Sequence, residues 1–228
     1  MLNSSSIVFL GNFNPAIFQT QWLDRYKILP RQDVQWAEGK GAQQIKVPDS
    51  DIILEKVPNI MVTANQTLLQ FPSLQIEVFP DKYICSSKNK EAFSLVKNVT
   101  ISIFKVLEHT PIKAVGINFE GDSRFNKGAQ EILNDLFVNN SSAFNKTFGN
   151  EFRIEGIIGF KQEGRKITLR LKNSNTLEDG INFNFNFHDD IEPQQAKLAI
   201  EAVSRNYDKD INKSNKIIKD LIGQPKKS

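Results

Sequence analysis

The densest group of residues able to do chemistry is His188-Asp189-Asp190-x-Glu192. Its carboxylates suit a hard cation such as Mg²⁺, and His188 could then act as a base, the minimum for a metal-dependent hydrolase or nuclease. The same residues suit a strand end that runs into a helix. There Asp190 or Glu192, beside Pro193, complements the positive helix N-terminus without any ligand, and this is the expected arrangement. Glu120 and Asp122, in Asn118-Phe119-Glu120-Gly121-Asp122, form a second carboxylate pair that reads as a turn at a strand end. The only histidines are His109 and His188, so any paired-histidine or serine-triad chemistry would need those two. His109 falls in the last turn of a predicted helix, where a cation favours the dipole. Cys85 is the one cysteine. It has no disulfide partner in the chain, and within Lys82-Tyr83-Ile84-Cys85 it reads as a packed thiol rather than a nucleophile. Gly39-Lys40-Gly41 lacks the strand-to-helix setting of a phosphate loop. No catalytic residue, metal-ligand set or cofactor is therefore expected.

Binding chemistry remains. Arg153, Lys161, Lys166, Arg170 and Lys172 share strand faces with Asn182, Asn184, Asn186 and His188. Cations and amides on a flat sheet can meet phosphates and base edges. Sheets that read single strands interleave aromatics with such groups, whereas here Phe183, Phe185 and Phe187 take the opposite face. Trp36 stands in the polar stretch 31–51 and is either an interface anchor or an indole folded back on the first helix.

The elements that must position these groups follow from periodicity. Ser6 to Phe13 reads as a strand, and Asn14-Pro15 opens a helix carrying Ile17, Phe18, Trp22, Tyr26 and Leu29. Residues 31–51, polar and glycine-bearing, read as a long loop. From Ile52 to Ser87 the chain is a series of short strands bounded by Pro58, Pro72 and Pro80, with a turn at Pro80-Asp81-Lys82. Lys90 to His109 is an amphipathic helix with Ala92, Val96, Val99, Ile103 and Val106 in one stripe, widened by Phe93, Phe104 and Leu107. Ile112 to Phe119 returns as a strand. This order matches a ferredoxin-like (split βαβ) module over 1–121, with Glu120-Gly121-Asp122-Ser123 as its boundary.

Residues 122–228 make a second module. A short helix through Ala129, Ile132, Leu133, Leu136 and Phe137 precedes a loop at 139–150. Three strands then alternate apolar with polar: 152–161, 166–172 and 181–188. A two-residue turn at Glu163-Gly164 sets Lys161 opposite Lys166, Phe160 opposite Ile167, Ile158 opposite Leu169 and Glu155 opposite Lys172. The result is a three-stranded antiparallel meander packed by helices, with one apolar face. Pro193 to Ile222 is one long helix or two, with a break expected at Asp208-Lys209-Asp210.

Composition sets the outer bounds. The 228 residues (25.9 kDa) are 39% hydrophobic and 24% charged, which is globular, and 29 Lys and Arg against 26 Asp and Glu leave +3. So small an excess carries no electrostatic mandate for nucleic acid or membrane. The 17 Phe promise an aromatic core. With no apolar run long enough for a membrane span and no signal-like N-terminus, a cytoplasmic protein is expected. Richness in Asn and Lys is consistent with an AT-rich bacterial genome. The expectation is an α+β, non-enzymatic, protein-binding or regulatory subunit that acts through sheet edges and the 31–51 loop, with self-association compatible. A nucleic-acid-binding protein using the polar sheet face is the alternative, and a metal-dependent hydrolase or nuclease the third reading.

Overall fold

A computed structural model describes residues 2–37, 43–46, 53–56, 59–138 and 154–222. In chain order the elements are β1 (Leu2–Gly11), a 3-10 turn (Pro15–Ile17), α1 (Thr20–Arg25), α2 (Arg31–Ala37), β2 (Gln43–Lys46), β3 (Ile53–Lys56), β4 (Asn59–Val62), β5 (Thr67–Gln70), β6 (Gln75–Val78) and β7 (Lys82–Ser87). They continue with a second 3-10 turn (Lys90–Ala92), α3 (Phe93–Val106), β8 (Ile112–Ser123), α4 (Ala129–Phe137), β9 (Gly156–Gln162), β10 (Arg165–Asn173), β11 (Ile181–Asp190) and α5 (Ala196–Ile222). The fold is α+β, with an antiparallel sheet of nine strands in the order β4-β5-β6-β7-β1-β8-β11-β10-β9 and a separate β2–β3 pair.

The chain forms two compact units, one of residues 6–115 and 190–204, the other of residues 1–5, 116–189 and 205–228. We call them the Tyr83 unit and the Phe187 unit after a fully buried aromatic in each. Glu120 to Ser123, the expected boundary, are the last residues of β8.

In the Tyr83 unit, Asn14 caps the first 3-10 turn by accepting from the Ala16 amide at 3.1 Å. The single N-terminal helix expected there is this turn followed by α1. Its stripe is also narrower than expected, since Ile17 and Tyr26 are exposed. The core is an aromatic cluster. Tyr83 packs on Phe104 at 4.9 Å, Phe9 on Phe104 at 4.8 Å, and Phe18 on Tyr83 at 5.9 Å between ring centroids. On α3 the buried face is Phe93, Val96, Val99, Thr100, Ile103 and Phe104. Val106, expected in the stripe, is exposed because it ends the helix. Thr100 takes a core place by turning its hydroxyl to Tyr83 at 3.3 Å.

The stretch 31–51 is not one long loop: Arg31–Ala37 is helical, and Gln43–Lys46 pairs antiparallel with Ile53–Lys56. On α2 the buried apolar side chains among those described are Val34 and Trp36, too few to show a period among polar neighbours. The carbonyl of Pro30 accepts from the amides of Asp33 and Val34 at 3.0 and 3.2 Å, which starts the helix.

In the Phe187 unit the meander has the expected register. Lys161 pairs with Lys166, Phe160 with Ile167 and Ile158 with Leu169. Glu163 and Gly164 both have positive φ, 53° and 81°, the geometry of a type I′ hairpin turn, which glycine adopts without strain. Ile167, Leu169, Leu171, Ile181, Phe183, Phe185 and Phe187 are all buried. Helix α5 runs unbroken through Asp208-Lys209-Asp210, and Asp210 is buried rather than marking a break. The loop at 139–150 and the residues Phe152 and Arg153 lie outside the described residues.

Candidate functional site

The β10–β11 ladder makes direct neighbours of Lys166 and His188, Thr168 and Asn186, Arg170 and Asn184, and Lys172 and Asn182. Seven of the sequence-derived candidates therefore share one face, because residues two apart along a strand point the same way. They are not equally accessible. Asn182 is 6% exposed, and its amide is committed to Glu120 Oε1 at 3.0 Å, Asp122 Oδ1 at 3.3 Å and the Gly121 carbonyl at 3.4 Å. Asn186 donates to Asn118 Oδ1 at 2.6 Å. The face thus runs from carboxylates and amides on β8 and β11 to cations on β10 and β9. The Lys161–Lys166 pair sets like charges directly opposite, a local cost. The expected Glu155–Lys172 pair lies one step beyond the ladder, which ends at Gly156–Leu171.

Trp36 belongs to the Tyr83 unit. It is 3% exposed, and its indole N–H donates to the Gln70 carbonyl at 3.3 Å. Beside it on α2, Asp33 is fully buried and accepts from the Ser73 hydroxyl at 2.9 and 2.8 Å. Burial pushes the Asp33 carboxyl above its ordinary range, and the Ser73 hydrogen bonds oppose that shift. An open pocket of about 360 Å³ lies next to this turn, lined by Ser73, Leu74, Ser87, Lys88 and Asn89 among others. Two of its polar side chains serve the protein itself: Ser87 donates to the Ser73 carbonyl at 2.7 Å, and Asn89 accepts from the Glu91 amide at 3.0 Å.

The 188–192 cluster is divided by the strand. The alternation that turns Phe187 inward also turns Asp189 inward, where Arg165 grips it through Nε and Nη2 at 2.8 and 2.7 Å. The other edge of the same guanidinium reaches both oxygens of Asp210 on α5 at 2.7 and 2.9 Å. The guanidinium also lies 5.5 Å over the Phe187 ring. Burial raises the Asp210 carboxyl above its ordinary range, while its bonds to Arg165 pull it back. Among the described residues no group of three or more His, Cys, Asp or Glu is placed to hold a metal ion. The capping expected of Asp190 or Glu192 meets a helix that starts later, at Ala196. His109 is almost fully exposed, 3.6 Å from Glu108. Cys85 is buried, which pushes its thiol up to about 12, the setting of an inert thiol. Sequence reasoning missed the Arg165 triad. Half of it was readable, since a charged residue in step with Phe187 must face inward, but Asp210 came from a helix segment that looked like a break.

β9 stands at one end of the strand order. Among the described residues no strand lies beyond it. A two-residue turn closes on the hydrogen-bonded pair Gln162–Arg165, so bonded pairs recur at 160, 158 and 156. The amides and carbonyls of Ile157, Gly159 and Lys161 then point away from β10. Ile157 is 60% exposed, and β9, Gly-Ile-Ile-Gly-Phe-Lys-Gln, contains no proline. Natural edges are blunted by proline, charge or bulges. This one carries only Lys161, near its end. No known protein-family model matches the chain, and no curated protein matches its sequence.

Proposed function

We propose that this chain is a non-enzymatic protein-binding subunit that takes an extended strand of its partner along the outer edge of β9. The supporting observation is that edge: three outward-pointing backbone positions beside an exposed Ile157, with no strand beyond them among the described residues. Strand addition draws affinity from main-chain hydrogen bonds and selectivity from alternate side chains. In this reading the 31–51 segment, with α2 and β2, is the second contact region, with Trp36 holding α2 in place, and the protein acts in the cytoplasm. We also read β6-β7-β1-β8 as a ferredoxin-like, split βαβ core. Each helical crossover, from β1 to β6 and from β7 to β8, leaves room for one intervening strand, which supports that reading.

Purification of the tagged full chain from its native cell, with mass spectrometry of what co-elutes, tests the function. Retention of a protein that is lost with both Ile157→Asp and Gly159→Pro is expected. Retention indifferent to both edge variants would overturn the reading.

A second reading rests on the register that sets Lys166, Arg170 and Lys172 along one strand face: binding of a nucleic-acid backbone there. Glu120 and Asp122 on the neighbouring strand weaken that field. Binding no tighter than about 10 µM at roughly 150 mM salt is expected, near the non-specific range. Submicromolar binding lost on replacing those three cations with Ala would put this reading first.

A further inference from the structure

We infer that the strand received by the β9 edge is the β9 of a second copy of this chain, paired antiparallel about Ile158. The inference rests on the strand-addition reading above and names its partner. Three features of the edge make it complementary to itself.

The first is charge. Glu155 and Lys161 are both exposed and lie three residues on either side of Ile158. With the two-fold axis at Ile158, Glu155 stands opposite the partner's Lys161, and Lys161 opposite the partner's Glu155. A shift of the axis to Gly159 loses both pairs and sets Glu155 against the partner's Glu163. Like charges placed directly opposite are destabilising, so charge selects the register.

The second is volume. Around Ile158 the pairing sets Ile157 against the partner's Gly159. A side-chain carbon built on Gly159 would meet no atom within 4 Å, which leaves room for the exposed isoleucine. On the opposite face Phe160 meets the partner's Gly156, and the ring of Phe137 from α4 fills the place of the missing side chain there. Phe137, Ile158 and Phe160 are all only partly covered within one copy, so pairing brings Phe160 onto the partner's Phe137 and Ile158 onto the partner's Ile158.

The third is backbone polarity. Ile157, Gly159 and Lys161 direct their donors and acceptors outward, and Ile158 sits between two of them. The axis at Ile158 therefore falls on a non-hydrogen-bonded pair, flanked by bonded pairs on either side, as an antiparallel ladder requires. One strand pair with two aromatic contacts lies at the small end of specific interfaces, so the dimer is reversible and concentration-dependent.

Sedimentation velocity of the full chain over a concentration series tests the inference. The mass is expected to rise from 25.9 kDa toward twice that value. Glu155→Lys or Lys161→Glu alone should weaken the dimer by about tenfold or more, because each change acts twice across the axis. The double swap should restore it. At the axis the two Ile158 α-carbons come within roughly 4.5 Å, inside disulfide range. Ile158→Cys should thus form a covalent dimer on oxidation, Gly159→Cys should not, and the buried Cys85 contributes no background. A monomer at every concentration, charge variants without effect, or cross-linking through position 159 in place of 158 would each overturn the inference. A monomeric chain that still captures another protein through Ile157 and Gly159 would leave the strand-addition reading standing, whereas loss of both would end it too.

Discussion

The two units bury their helices by different means. In the Tyr83 unit, α3 packs mainly through apolar groups: Phe9, Phe13, Phe18, Tyr83 and Phe104 form a continuous cluster, Val96, Val99 and Ile103 are buried as well, and the Tyr83 hydroxyl pairs with that of Thr100. The Phe187 unit has rings as well, with Phe119 within 6.2 Å of Phe187 and 5.4 Å of Tyr207. It adds polar staples to α5: Ser5 shares a 2.5 Å hydrogen bond with the Tyr207 hydroxyl, and Arg165 bridges Asp189 to Asp210. The sequences explain the contrast. Phe93-Ser-Leu-Val-Lys-Asn-Val-Thr-Ile-Ser-Ile-Phe supplies a broad apolar face. Residues 205–222 supply a narrow one, Tyr207 and Ile218, interrupted by buried Asn206, Asp210 and Ser214. A helix with little apolar area needs its inward charges matched, because an unmatched buried charge costs more than the helix gains by docking.

The largest effect is expected where that match is broken. Arg165→Ala leaves Asp189 and Asp210 without the guanidinium that bridges them and should cost about 3–5 kcal/mol. Hydrogen exchange should show faster opening of residues 205–222, with α3 unchanged. Equal acceleration in α3 would mean that the two units do not open separately.

Phe185→Ala should cost about 3–5 kcal/mol in a denaturant titration, as a large cavity among buried rings. Asn184→Ala, on the other face of the same strand, should cost well under 1 kcal/mol. Similar costs would overturn the assignment of faces and, with it, the view that the Phe187 unit shares the ring-packed logic of its counterpart.

The smallest expected effect is a slope. Asp33 in the Tyr83 unit has a hydroxyl partner where Asp210 has a guanidinium, and burial raises its pKa. Because the folded state favours the protonated form, the contribution of Asp33 is full below the ordinary carboxylate pKa and is lost as pH rises through the raised, folded value. Asp33→Asn keeps an acceptor for Ser73 and carries no charge. Stability measured between about pH 3 and 7 should fall less steeply with rising pH in the variant than in the parent chain. Identical slopes would show that Asp33 is solvated well enough to ionise freely.

Local pattern was sufficient for the meander. Alternation over 156–161, 166–172 and 181–188 and a two-residue turn set the faces and the β9–β10 register, because a slip of one residue would move every phenylalanine to the wrong side. It was also sufficient for α3, whose apolar face spans four turns. Pattern failed where polar residues are structural. Asp33 and Trp36 fall in a stretch that reads as a loop, and Asp210 in one that reads as a helix break. Each is buried, and each is stabilised by a partner distant in sequence: Trp36 by Gln70, Asp33 by Ser73, Asp210 by Arg165. An apolar side chain declares its burial in its own chemistry, whereas a polar one goes inside only when a specific partner meets it there. The sequence by itself therefore determined the strands of the meander, their faces and the aromatic cores. Only the tertiary structure decided which helix carboxylate meets Arg165, the strand order that joins β8 to β11, and that β9 has no strand beyond it among the described residues. Those outcomes depend on contacts between segments tens of residues apart, which no local period records.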